Sequence, residues 1–245
     1  MKRLGIAVAV TTICIGVVIL AYHVAYPSLT LRYRLTLVAE VDDQPKMGTS
    51  VVEVTYNEQP EVGSGRNLVF GHRGEAVAVE LGERGTLFAL LVAGDDIRSA
   101  PETIVFRAFG FPGGIFPQGS VEDGFRRIRQ LSGKRELQLD SLPMLVRFRD
   151  MNDPKTVERV HPHNLAERFG PGSKLVRAEL EIVATDSWPL SSGHFAGEPL
   201  TTGIEKRLSW LPQFYDRMLD GRRYQAASSE LQLANSLASG AFMAP

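Results

Sequence analysis

Leu29-Thr30-Leu31-Arg32-Tyr33-Arg34-Leu35-Thr36-Leu37-Val38-Ala39-Glu40-Val41 puts an apolar residue at every odd position, while Thr30, Arg32, Arg34, Thr36 and Glu40 fill even ones. Successive side chains of an extended chain point to opposite faces, so this period of two predicts a strand with one face in a core and the other in water. The pattern returns where Val176, Ala178, Leu180 and Ile182 alternate with Arg177, Glu179 and Glu181, which predicts a strand over Leu175–Val183. Runs rich in β-branched and aromatic residues predict further strands over Ser50–Tyr56, Glu75–Leu81, Thr86–Val92, Thr103–Phe109, Met144–Arg149 and Thr156–Val160. Gly82-Glu83-Arg84-Gly85 supplies a short hairpin loop between two of them. Many strands with few intervening helices favour a mainly β, antiparallel, sandwich-like domain over a parallel βαβ sheet.

Helical signals are fewer. Ser120 stands three residues before Asp123 as a helix cap, and Val121, Phe125 and Ile128 form a stripe that ends before Gly133. Asn164 can cap a turn over Leu165–Phe169 that Gly170-Pro171 closes. Thr202 and Glu205 match a capping box, with Ile204, Leu208 and Leu211 on one face, and Pro212 can start another helix carrying Phe214 and Met218. Beyond Gly221 the chain is rich in Ala and Ser and shows no periodic face, which predicts a flexible tail over 222–245.

Upstream of the first strand, Leu4 to Ala25 contains no Asp, Glu, Lys or Arg. Roughly 22 helical residues at ~1.5 Å each span about 33 Å, matching a hydrocarbon core of about 30 Å. Tyr22 and Tyr26 mark the distal end, where amphipathic rings favour the interface, and Pro27 stops the helix. A cleaved signal peptide fits less well, because cutting after Ala21 or Ala25 puts Ile19 or His23 where a small residue is needed. Cys14 lacks the small-residue context of a lipoprotein site and suits apolar packing. Lys2 and Arg3 precede the span while Arg32 and Arg34 follow it, so basic residues alone do not orient it. The charges at the very start favour an N-terminus inside. The expected division is a cytoplasmic N-terminus over 1–3, a transmembrane helix over 4–26, a β-rich extracytoplasmic domain over 27–221 and the tail.

At 245 residues, 44% hydrophobic and 22% charged, the chain is neither disordered nor strongly basic. Its net charge is −1, and the part beyond Lys2 and Arg3 carries −3, so nothing draws it generally to nucleic acid. The one cysteine lies within the span, so the domain can form no disulfide and offers no thiolate.

Candidate chemistry is sparse. His161, His163, His194 and Asp150, with His72 and Asp153, supply ligand types suited to zinc, but at spacings that fix no geometry, and Pro162 disturbs the alternation that would align two imidazoles. The bland alternative makes His161 and His163 turn residues. Ser64 and Ser192 have glycine neighbours without the Gly-x-Ser-x-Gly elbow. Gly170-Pro171-Gly172-Ser173-Lys174 precedes a strand, whereas phosphate cradling needs a helix N-terminus. Asp150-Met151-Asn152-Asp153-Pro154 reads as a turn and lacks the glycine and terminal Glu of a calcium loop. Arg126, Arg127, Arg129, Lys134 and Arg135 could touch anionic headgroups, but Glu122, Asp123 and Glu136 flank them, which favours a solvated helix face. Phe111 and Phe116, within Gly110-Phe111-Pro112-Gly113-Gly114-Ile115-Phe116-Pro117, either tuck under the core, the favoured reading because apolar loop side chains usually find cover, or meet a partner, and they are the partner contact expected of a binding module.

The stretch from Leu142-Pro143-Met144-Leu145-Val146 through Asn152-Asp153-Pro154-Lys155-Thr156-Val157, then Asn164-Leu165-Ala166 and Phe169-Gly170-Pro171-Gly172, resembles an uncharacterised family of proteobacterial proteins. So does Thr201-Thr202-Gly203-Ile204-Glu205-Lys206 with Leu208 and Trp210-Leu211. The resemblance implies a bacterial source and assigns no catalytic residue. The expectation is a single-pass inner-membrane protein, held by the lipid bilayer through its N-terminal helix, whose periplasmic domain binds or scaffolds another envelope protein without cofactor or nucleic acid. The alternatives are a metal-dependent or serine hydrolase of the envelope, and the same domain facing the cytoplasm.

Overall fold

The computed structural model describes residues 2–60, 68–93, 101–185, 197–223 and 230–244, leaving aside the side chains of 2–10, 23 and 230–232. β1 (Ser28–Val41) and β2 (Gln44–Glu58) pair antiparallel along their whole length. Asp42 and Asp43 join them, both at positive φ (49° and 61°), as the two-residue turns that match strand twist require. Around this hairpin grows a six-stranded sheet in the order β10-β3-β2-β1-β9-β6. Its other members are β3 (Leu68–Glu75), β6 (Gly133–Glu136), β9 (Ser173–Val183) and β10 (Met243–Ala244). A second sheet of four has the order β4-β5-β7-β8, from β4 (Val77–Glu80), β5 (Thr86–Ala93), β7 (Pro143–Phe148) and β8 (Val157–Val160). Every pairing is antiparallel.

The odd residues of β1 are buried as their period predicts. Leu31, Tyr33, Leu35 and Leu37, with Val52, Val54 and Tyr56 of β2, share one core with Val77 and Val79 of β4, Leu87, Ala89 and Leu91 of β5, and Leu145 of β7. The two sheets therefore enclose apolar side chains between them, as in a sandwich. The predicted strand Glu75–Leu81 is really two, because the chain leaves the large sheet at Glu75 and enters the small one at Val77. At this corner the sheets nearly touch: a Cβ on Gly48 would stand 2.2 Å from the Ala78 carbonyl oxygen, so only glycine fits.

Four helices complete the described chain. α1 is Lys2–Ala25, α2 Pro101–Ala108, α3 Val121–Arg129 and α4 Ala166–Phe169. The Ser120 hydroxyl accepts the Asp123 N–H at the start of α3, and Phe125 and Ile128 are buried beneath it. α2 replaces the strand expected over Thr103–Phe109. An apolar run this short fits either element by periodicity, and Pro101 with Glu102 in the first turn and Arg107 in the last favours the helix. The helices expected around Ile204 and after Pro212 shrink to single 3-10 turns, Ile204–Lys206 and Leu211–Phe214.

The outer face of the small sheet is apolar too, through Phe88, Leu90, Met144, Val146 and Phe148. Ile204, Leu208, Trp210, Leu211, Leu237 and Phe242 cover it as a second core. The flexible tail expected over 222–245 is thereby corrected. Residues 224–229 lie outside the described residues, but Leu237 and Phe242 are fully buried, and Met243 pairs with Glu75. Scattered apolar residues without a period escaped the sequence pattern because the segment packs as irregular chain.

Between Ile13 and Ala21 the side chains of α1 are apolar and exposed on every side, following the exposed Thr11 and Thr12. Val17, Val18, Ile19 and Leu20 are consecutive, so they point around the whole helix, and each is 53–68% exposed. Among the described residues no helix is long and apolar enough to cross a membrane.

Candidate functional site

The antiparallel pairing of β7 with β8 sets the start of one strand beside the end of the other, with Leu145 opposite Val160. There the turn at Leu139–Ser141 and the segment His161-Pro162-His163 diverge, leaving an open cleft of about 540 Å³. Leu142, Met144, Leu145 and Val160 give it an apolar floor, and Asp140, Arg159, His161 and His163 a polar rim. This volume lies within the usual range of ligand pockets. Apolar floor and rim follow from the fold, since β7, buried over nearly all its length, starts here beside the end of β8, while Arg159 of β8 and the adjoining turns carry the polar residues.

His163 Nε2 stands 2.7 Å from Asp140 Oδ1, and both side chains are exposed. A contact so placed is exposed to water and adds little stability. Sequence spacing brings His161 and His163 to this cleft but missed Asp140 and Arg159. Asp140 is 23 residues from its histidine, and only the β7–β8 register brings them together.

Asp150 does not join them. It follows the opposite end of β7, where its Oδ1 accepts the Asn152 N–H at 2.9 Å within the turn expected from Asn152-Asp153-Pro154. A zinc site using both histidines and Asp150 is therefore not assembled by the described chain. His194 lies outside the described residues, as do Ser64 and Ser192. Among the described residues no group of three or more His, Cys, Asp or Glu side chains converges as a metal site would require.

Phe111 and Phe116 are corrected as the partner contact. They are 9% and 6% exposed and belong to the core between the sheets. Phe106 stacks edge-on against both, with ring centroids 5.5 and 6.0 Å away, and Phe116 also meets Phe125 at 5.8 Å. Gly113 and Gly114, at φ 69° and 60°, turn the loop back so that both rings enter the core. Gly170 and Gly172 likewise form the turn into β9, where the Arg84 guanidinium binds the Phe169 carbonyl and the Asp42 carboxylate.

Two further polar clusters hold the fold together. His72 Nδ1 lies 3.0 Å from Glu102 Oε1, and the Tyr56 hydroxyl donates to the Glu102 carbonyl at 2.9 Å, which ties α2 to the large sheet. Burial first, and then the Glu102 carboxylate, push the Tyr33 hydroxyl well above its ordinary range. On the outer face of the large sheet the buried Arg32 donates to Glu53 at 2.8 Å and to the Glu198 carbonyl. Arg34 bridges Glu181 and Glu198, each at 2.7 Å. These clusters are internally satisfied, whereas the cleft combines open volume with an apolar floor and a polar rim. No family model, curated protein or solved structure matches the chain.

Proposed function

We propose that the protein is a membrane-anchored binding module of the bacterial envelope, with α1 in the bilayer and the sandwich presenting its cleft to another envelope protein. The observation that carries this is the apolar surface of α1. A helix apolar on all faces belongs in a protein interior or a bilayer, and the exposed side chains of α1 are not in the interior of this domain. Thr11–Ala25 is shorter than the ~20 residues a span needs, and the uncharged sequence from Leu4 supplies the remainder.

Binding rather than chemistry is favoured by the rim of the cleft. Arg159, His161, and the His163–Asp140 pair offer donors and one carboxylate around an apolar floor, a combination suited to gripping a side chain or chain end. A tethered partner shares a thin layer with the domain, so modest affinity suffices. Crosslinking in intact bacterial cells followed by mass spectrometry tests the proposal. Partner recovery should fall in the His161→Ala, His163→Ala double variant while its melting temperature stays within a degree or two, as exposed residues allow. Unchanged recovery would remove the cleft from the account. Protease added to spheroplasts should digest the domain, and protection until lysis would place it in the cytoplasm.

A further inference from the structure

We infer that the end of the large sheet next to α1 rests in the bilayer interface through Val69 and Phe70 at the start of β3, an inference built on α1 being an anchor. Only Tyr26 and Pro27 separate α1 from β1. The junction is tied down on both sides: the Tyr26 N–H bonds to the Tyr22 carbonyl, and the Glu58 N–H to the Pro27 carbonyl. The domain therefore has no stalk, and whatever lies level with Ser28 and Leu29 lies at the mouth of the helix.

The register says what that is. Ser28 is opposite Asn57 and Leu29 opposite Tyr56, while Asn57 is opposite Val69 and Tyr56 opposite Phe70. Across three strands, Val69 and Phe70 sit at the level of the first two residues of β1. They are 45% and 42% exposed, on a stretch of β3 that β10 leaves uncovered, since β10 pairs only with Gly74 and Glu75. Phe70 is braced from within, its ring edge-on to Tyr56 at 5.6 Å, so it is held at the surface rather than folded under. Two adjacent apolar side chains on an open edge are costly in water and favourable at a headgroup boundary. Tyr22 and Tyr26 meet the same boundary from the helix side, with ring centroids 5.0 Å apart. The occupant is the lipid surface because a helix mouth a few residues away allows nothing thick to intervene, and uncharged headgroups suffice because the contact is apolar.

The test uses the full chain carrying Cys14→Ala and a single new cysteine bearing an environment-sensitive dye, in phosphatidylcholine vesicles doped with spin-labelled lipid. Dye on Val69→Cys should lose most of its emission to the quencher, and dye on Met47→Cys, exposed at the far end of the hairpin opposite Val38, should lose none. Glu58→Cys, beside the Pro27 contact, repeats the near-end measurement should Val69→Cys fold poorly. Vesicle flotation separates the two layers of the inference. A chain that floats with near-end dye unquenched would overturn the interfacial contact and spare the anchor, whereas a chain that does not float would overturn the anchor.

Discussion

Glu75 ends β3, and its carboxylate accepts the N–H groups of Gly203 and Ile204 at 2.9 and 2.8 Å, far along the chain. It thereby caps the turn for which the sequence offered Thr202 as the cap. The sequence could show that a helical turn starts there but not that its acceptor comes from another sheet. Glu75→Ala leaves the buried Ile204 N–H and the part-buried Gly203 N–H without that acceptor and should cost about 1–3 kcal/mol in urea unfolding. Thr202→Ala should change stability by no more than about 0.5 kcal/mol. Comparable losses in both would restore the local cap. Tyr33 gives a pH dependence of definite sign. Its hydroxyl is raised above the ordinary 10.0 in the folded chain, so the stability it contributes is whole below that pH and lost as pH climbs beyond it. The melting temperature should fall in that alkaline range, and Tyr33→Phe should make the fall shallower. An unchanged alkaline profile in Tyr33→Phe would show that Tyr33 is not the group responsible.

Elements were legible where a long period had one face to bury. β1 alternates over more than ten residues and its odd positions from Leu31 to Val41 enter the core, as do Ala178 and Leu180 of β9. Val176, expected on that same face, is 49% exposed because the β1–β9 register slips between Val38 and Ala39. Leu180→Ala should therefore cost about 2–5 kcal/mol, and Arg177→Val, on the exposed face, less than about 0.5 kcal/mol. Equal losses would mean that the faces are wrongly assigned. α2 was illegible because Ile104, Val105 and Phe106 are consecutive and all buried, which suits a strand as well as a helix. The loop around Phe111 and Phe116 misled for a related reason: glycine and proline mark a break in regular structure but not which way its aromatics turn. Phe111→Ser with Phe116→Ser should lower stability by several kcal/mol, since large-to-small aromatic changes in a core typically cost about 3–5 kcal/mol each. Nearly wild-type stability would return both rings to the surface.

At the scale of the molecule, the antiparallel β architecture was readable from pattern, while the second core was not. It is built by irregular chain after Gly203, whose contacts with Phe88, Val146 and Phe148 come from topology alone. A chain ending at Gly221 should expose that face and bind a hydrophobic dye that the whole chain does not. Dye binding equal in both would show that residues beyond Gly221 cover nothing. The cleft was half legible, since His161 and His163 drew notice by spacing while Asp140 and Arg159 joined them only through strand register. The central claim is that α1 holds this sandwich at a bilayer. Alkaline carbonate extraction of bacterial membranes tests it most directly, comparing the full chain with one beginning at Pro27. The account predicts that the full chain stays in the membrane pellet and the shortened one is released, and release of both would contradict it.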